Sequence, residues 1–405
     1  MRHTPNQPLS PEAAAVISAM GLSRRTLVRG ALAGGAFFAA GGALAACGTK
    51  GTDTSDKPAC ESEDKSATEK TLNFSNWPLY IDVSEQDESK RPTLDAFVTQ
   101  TGIQVKYTED INDNNEFFGK IRPQLAACQS TDRDILVVTD WMAGRLIRND
   151  WMQKLDKSKL ANVEANLLDG LRGRSFDKNN EFAVPWQSGL SGIAFNGKVT
   201  KEVRTIDELL TRADLKGKVT ALSEMRDTMG LLLQSNGNDP SDFTEAQFDD
   251  ALAKLQRAVD SGQIRKFTGN DYAPDLDKGD IAACIAWSGD VLQLENAEFV
   301  APDSGVMLWS DNMLVPNKST HKANAEQLMN YYYDPKVAAE LAAWVNYICP
   351  VKGAQAEMEK IDADLASSPL IFPDASILGK AKVFMALDET QEKNYDDKFQ
   401  QVIGA

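Results

Sequence analysis

Large aromatic and acidic residues recur close together at what read as strand ends. Trp77 and Tyr80 follow the run Thr71-Leu-Asn-Phe-Ser-Asn, and Trp141 follows Asp134-Ile-Leu-Val-Val138. Trp287 closes the run beginning at Asp280, with Asp290 three residues on, and Trp309 stands two residues before Asp311. Glu224 and Asp227 are spaced i, i+3 where a strand turns into a helix, so both carboxylates can share one face. In open α/β sheets ligands collect outside the carboxyl ends of strands. Indole and phenol rings with carboxylates among them suit an alkyl diamine or polyamine. The methylene stem lies against the rings, out of water, and the ammonium ends meet ring faces and carboxylates. At least one acid is expected at each end of such a cleft, because an unpaired buried ammonium is costly.

Other chemistries fit less well. His321 is the only histidine beyond the first few residues, so a Ser-His-Asp mechanism is not expected. Gly189-Leu-Ser-Gly192 lacks the Gly-x-Ser-x-Gly frame of a nucleophile elbow. No glycine-rich nucleotide loop follows a strand, and no spacing resembles a zinc or iron–sulfur site. Tyr331-Tyr332-Tyr333 could suggest ferric ligation, but adjacent positions of a helix face different ways, so packing is the expected role. The reading is a binding protein without metal, cofactor or bond chemistry.

The elements that must hold these residues alternate. Strands are expected at Thr71 to Trp77, Ile103 to Tyr107 and Asp134 to Val138, with helices at Arg91 to Thr101, Asn115 to Cys128 and Trp141 to Asn149. That alternation argues an α/β lobe. A new section begins at Ala183-Val-Pro185, with strands at Gly192 to Asn196, Gly217 to Leu222 and Asp280 to Trp287. Val306 to Pro316 reads as a strand carried through a Trp-Ser-Asp turn. Helices are expected at Glu224 to Leu233, Thr244 to Arg257, Ala323 to Tyr333 and Val337 to Trp344, and at the C-terminus. Thr205 with Glu208 has the spacing of a capping box. About 335 residues from Thr71 onward suggest two lobes.

The N-terminus speaks of location. Arg24-Arg25 precedes an apolar run from Ala31 to Ala46, and Leu44-Ala-Ala-Cys47 closes it. The run is too short and too rich in Gly and Ala for a span of roughly 20 apolar residues. It reads as an export signal of the twin-arginine type over residues 1–46, and its end resembles a lipobox with Cys47 as the lipid attachment. Residues 47–70 are polar and read as a flexible tether.

The whole chain carries a formal charge of −16; Arg2, Arg24, Arg25 and Arg29 against Glu12 lie in the leader, so the remainder is near −19. Nucleic-acid binding is disfavoured and a cationic ligand weakly favoured. Without Cys47 four cysteines remain, Cys60, Cys128, Cys284 and Cys349, and three pairings are open. At least one disulfide is expected, although Cys284 and Cys349 sit in apolar surroundings that also suit core thiols.

Several segments in order resemble the polyamine-binding proteins of bacterial ABC importers. They are Phe74-Ser-Asn-Trp-Pro-Leu-Tyr80, Leu155-Asp-Lys-Ser-Lys-Leu160, Phe182-Ala-Val-Pro-Trp186, Ile193-Ala-Phe-Asn196 and Lys216-Gly-Lys218, then Ile285-Ala-Trp-Ser-Gly-Asp290, Leu308-Trp-Ser-Asp311 and Asp334-Pro-Lys-Val-Ala338. The resemblance implies a type II periplasmic-binding-protein fold, two α/β lobes joined by hinge crossings. Lobe one would hold residues 71–187 and 310–355, lobe two 188–309 and 356–405. It adds Thr139 and Tyr347 to the cleft. Trp77, Trp287 and Trp309 would flank the alkyl chain, Asp311 one amine, Glu224 and Asp227 another. Asp290 would serve the second end as in putrescine receptors, with hydroxyls from Tyr80 and Tyr347. Leu79 and Trp141 stand where spermidine receptors often carry an acid and a tyrosine, which leaves the preferred polyamine open. The implied partners are an ABC permease with its ATPase and, through Cys47, the membrane; the implied state is an extracytoplasmic monomer. The alternatives are a receptor for a small sugar, an amino acid or a ferric complex, a polyamine-modifying enzyme, or a structural lipoprotein.

Overall fold

The computed structural model describes Cys60 and residues 62–404. The leader, Cys47 and most of the expected tether lie outside the described residues. Ten strands form one mixed sheet: β1 (Thr71–Asn76), β2 (Gln104–Glu109), β3 (Ile135–Thr139), β4 (Val184–Asn196), β5 (Val219–Leu222), β6 (Ile264–Thr268), β7 (Ala283–Trp287), β8 (Ala297–Val300), β9 (Val306–Leu314) and β10 (Ala381–Lys382). The main path runs β2-β1-β3-β9-β4-β7-β5-β6, with β10 on β9 and β8 on β4. It divides into two matching halves. In one, β1 pairs in parallel with β2 and β3, and β9 closes antiparallel on β3. In the other, β5 pairs in parallel with β6 and β7, and β4 closes antiparallel on β7. Each half is a lobe, and the α/β, two-lobed architecture is the one expected.

The halves are stitched by long strands. Residues of β4 pair with β9 over Val184–Pro185 and again over Ser188–Ser191, with a register shift between. The junctions expected at 187/188 and 309/310 therefore fall inside continuous strands. The strand expected at Gly192 to Asn196 starts earlier, at Val184, and the turn expected at Trp309-Ser-Asp311 is absent. Gly189 and Gly192 lie inside β4 and make room for neighbouring rings. A Cβ on Gly189 would stand 2.4 Å from the Trp309 ring, and one on Gly192 2.6 Å from Phe299. A third crossing passes at Ile348, which exchanges backbone hydrogen bonds of 2.7 and 3.0 Å with Ser188.

Local signals explain the helices. Pro92 opens helix Pro92–Thr101, and Gly102 ends it in the left-handed region at φ 73°. The capping box expected at Thr205 and Glu208 is present, and Thr244 with Gln247 forms another on helix Glu245–Asp260. The tyrosine triplet packs as expected, with Tyr332 and Tyr333 buried and Tyr333 Oη donating to Pro185 O.

The last stretch of the expected tether is packed on the body. Residues 62–70 lie against the first lobe through polar contacts. Asn324 N donates to Ser66 Oγ at 3.1 Å, Asn324 Nδ2 to Glu69 O at 2.9 Å, and Lys65 N to Thr320 O at 2.7 Å. A hydrophobicity argument is blind to a segment held by hydrogen bonds. Cys60 is joined to Cys128, which selects one of the open pairings and fixes the start of the body to the end of helix Asn114–Ala126. Cys284 and Cys349 are buried free thiols, with Cys349 pushed up to about 12 by burial. The bridge spans 68 residues of chain. Replacing both partners (Cys60→Ser with Cys128→Ser) is expected to cost about 2–4 kcal/mol of stability, read by denaturant unfolding.

Candidate functional site

The carboxyl ends of β1, β3, β5 and β7, with the middle of β9, converge on one crevice. Its walls include Trp77, Tyr80, Thr139, Glu224, Asp227, Trp287, Asp290, Trp309, Asp311 and Tyr347. All were expected, Thr139 and Tyr347 through the family resemblance alone. Trp141, also named, is not among them. Its ring is stacked beneath Arg226, whose guanidinium carbon lies 3.9 Å from the ring centroid, and Arg145 lies 4.8 Å away. The sequence reading placed the ring after β3 correctly but did not supply its own cations.

The rings form a continuous chain. Centroids are 6.0 Å apart for Trp77 and Trp287, 6.3 Å for Trp287 and Trp309, 5.5 Å for Trp309 and Tyr347, and 5.0 Å for Tyr347 and Tyr80. All four contacts are steeply inclined, at 78°, 74°, 60° and 81°. Indole nitrogens are tied down, which fixes the ring planes. Trp77 Nε1 donates to Val137 O at 3.0 Å, Trp287 Nε1 to Asp227 Oδ2 at 2.9 Å, and Trp309 Nε1 to Ser191 Oγ at 3.0 Å. Gly289 makes room for Tyr347, since a Cβ there would stand 2.4 Å from its ring.

Among the rings lie four buried carboxylates. Asp227 accepts from Ser191 Oγ at 2.7 Å and from the Trp287 indole. Asp290 accepts from Tyr347 Oη at 2.6 Å on one oxygen, and from Asn270 Nδ2 at 2.8 Å and Tyr272 Oη at 2.9 Å on the other. Asp311 accepts from Thr139 Oγ1 at 2.7 Å. Glu224 accepts from Asn114 Nδ2 at 3.0 Å on Oε2, while its Oε1 is buried with no hydrogen-bonding partner. Burial pushes all four up: Asp227 to about 6, Asp290 to about 6, Asp311 to about 7 and Glu224 well above the carboxylate range. The donor hydrogen bonds pull the aspartates back down only in part. Mutual repulsion adds to the rise, from Asp140 and Asp227 on Asp311 and from Asp113 and Asp227 on Glu224. Among the described residues, no lysine or arginine lines the crevice. Such a surface gains by taking in a positive charge.

Sequence reasoning missed Asn114 and Asn270. Asn114 starts the helix after β2 and links Thr139 to Glu224 across the crevice, with Nδ2 distances of 2.9 and 3.0 Å. Asn270 follows β6, a strand whose Ile-Arg-Lys-Phe-Thr pattern does not alternate cleanly and was not expected. Once β6 is known, a polar residue just past its end is the signal. Among the described residues no His, Cys, Asp or Glu group is arranged to hold a metal ion.

Residues 93–373 match the family model described as bacterial extracellular solute-binding protein. The chain is 29% identical over 348 residues to the putrescine-binding periplasmic protein of Escherichia coli, covering 78% of this chain and 86% of that one. It is 24% identical over 318 residues to the spermidine/putrescine-binding periplasmic protein of Salmonella typhimurium, covering 77% and 86%. Among solved structures, the spermidine/putrescine ABC transporter substrate-binding protein of Streptococcus pneumoniae aligns with a TM-score of 0.64 at 25% identity, covering 82% of this chain and 98% of that one.

Tyr347→Phe removes the donor on Asp290 Oδ1. The Asp290 carboxyl is then expected to titrate above about 6, because a hydrogen bond to the charged form is lost. Carbon-detected NMR titration of the aspartate carboxyls reads the change.

Proposed function

Because the chain belongs to the bacterial extracellular solute-binding proteins, we propose that its solute is a polyamine, held between the two lobes and handed to an ABC importer. The family is one of binding proteins rather than enzymes. The observation that carries the ligand reading is the crevice: a chain of aromatic rings around four buried carboxylates, with no basic side chain lining it among the described residues. A hydrocarbon stem gains from lying on the rings, and a protonated amine at each end supplies the charge that the acids lack. The names of the relatives, putrescine-binding and spermidine/putrescine-binding proteins, support the same class.

In this reading Trp77, Trp287 and Trp309 flank the alkyl chain. Asp311 takes one amine, Asp290 the far end of a short diamine, and Glu224 with Asp227 a further amine. The unpartnered Glu224 Oε1 is suited to that last role. The receptor works as a monomer made of lobes 71–187 with 310–355 and 188–309 with 356–405. It is exported by the twin-arginine route and anchored by lipid on Cys47, so that it stays beside its permease.

Calorimetry with putrescine, spermidine, spermine and agmatine tests the class; saturable heat is expected from at least one, and silence from all of them ends the reading. Asp311→Ala is expected to weaken the best ligand by about 2–5 kcal/mol, as for one partner removed from a buried charge pair. Glu88→Ala, on the exposed surface, should leave affinity unchanged.

Affinity is also expected to depend on pH. With Asp227 and Asp290 near 6 and Asp311 near 7 in the absence of a cation, the free protein holds protons that a bound ammonium displaces. Binding then releases protons, so affinity rises from pH 5 through about 7, the range in which the three aspartates ionise. Isothermal titration in two buffers of different ionisation enthalpy measures the protons released; a count of zero at pH 6 contradicts the scheme.

A further inference from the structure

One buried carboxylate outside the crevice gathers arginines from both lobes. It is Glu392, on the C-terminal helix Glu389–Ile403. That helix is seated on the second lobe. Tyr395 stacks on Phe248 with centroids 4.3 Å apart, Phe399 meets Phe267 at 6.2 Å, and Lys398 pairs with Glu245 and Asp249 at 2.7 Å each. Arg226, on the same lobe, donates to Glu392 Oε1 at 2.7 Å. The first lobe reaches over from helix Asp140–Arg148. Arg148 Nη2 lies 3.2 Å from Glu392 Oε2, and Arg145 Nη2 lies 3.3 Å from both Glu392 Oε1 and Asp396 Oδ2. A second link runs the other way, Arg226 of lobe two lying over Trp141 of lobe one. The side chains of Glu392, Arg226 and Arg145 are only 8%, 9% and 16% exposed, so these pairs are poorly screened. None of the residues of this cluster lines the crevice.

We propose that Glu392, with Arg145, Arg148 and the Arg226–Trp141 stack, is a clasp that holds the lobes together and so sets ligand affinity without touching ligand. Separating the lobes leaves Arg226 with Glu392, since both ride on lobe two. It breaks the pairs to Arg145 and Arg148 and lifts Arg226 off Trp141. The cluster therefore favours the closed form alone. A receptor whose competent form is only partly populated binds more weakly by that fraction. Weakening the clasp lowers affinity for every ligand by one common factor, whereas a change inside the crevice alters the ratio between ligands. The inference rests on the polyamine reading only for the choice of probe.

The test compares wild type, Glu392→Gln, Arg145→Gln and the double variant, with putrescine and spermidine as probes. Calorimetry gives affinities and stopped-flow tryptophan fluorescence gives dissociation rates. Glu392→Gln is expected to weaken both probes by the same factor, roughly tenfold and mainly through faster dissociation, and the double variant to be little worse than either single one. Unchanged affinity and dissociation overturn the clasp. So does a shifted putrescine-to-spermidine ratio, or factors that simply multiply in the double variant. If Glu392→Gln loses cooperative unfolding, Arg148→Gln takes its place, since that arginine is 42% exposed and leaves no buried charge orphaned. If wild type binds neither probe, the ligand reading fails and the clasp is read by small-angle scattering. A larger radius of gyration for Glu392→Gln than for wild type then supports it, and equal radii overturn it.

Discussion

Keeping carboxylates out of water is the constraint around which the cleft is built. An ionised carboxylate in an apolar setting is costly, and in practice the group holds its proton instead. Here Asp227, Asp290, Asp311 and Glu224 are all displaced that way. Hydroxyl, amide and indole donors offset part of the cost, and they do so without adding net charge. Ser191, Thr139, Tyr272, Tyr347, Asn114, Asn270 and the Trp287 indole are all neutral. Among the described residues no basic side chain lines the crevice to neutralise the acids, so part of the cost remains, and a cation entering there would relieve it. A lysine or arginine in the wall would have made the protein more comfortable and the ligand superfluous.

That requirement explains features of the fold that look incidental. The acids and rings must come from both halves of the sheet, so the two halves carry matching strand order and present their carboxyl ends to the same gap. The bridging strands must bend without breaking, and β4 does so with a register shift next to Gly189, over which the Trp309 ring lies. The indole that forms part of the wall also donates to the acid beside it, as Trp287 does to Asp227. Wall and charge are thus positioned by one another, and a change at either is felt by both.

How much of this was legible follows from the kind of signal each feature leaves. Trp287-Ser-Gly-Asp290 at the end of β7 and Trp309-Ser-Asp311 within β9 combine rare residue types, and their rings and acids stand in the crevice. Thr139 and Tyr347 left no such mark and came only through family resemblance. The length of β4 and the continuity of β9 were hidden because Trp-Ser-Asp read locally as a turn and because the packing around Gly189 and Gly192 comes from Trp309 and Phe299, far along the chain. Trp141 was misplaced because a ring's occupant is a tertiary matter: Arg226 is 85 residues away in sequence and 3.9 Å away in space. Residues 62–70 looked like tether because their anchors are hydrogen bonds to Thr320, Ala323 and Asn324, far along the chain.

The displaced Trp141 separates two jobs. Inside the crevice, rings and acids line the space, and among the described residues no basic side chain stands with them. At the rim, a ring of the same type is used by the protein's own arginines, and its partner cluster spans the lobes. Both places are built from carboxylates and rings, and they do not share residues. Arg226 is where they come nearest. It sits between Glu224 and Asp227 in sequence, and its charge lowers the proton affinity of both. Held by Glu392 and stacked on Trp141, it eases the burial of the acid pair from outside while leaving the inside of the cleft free of positive charge.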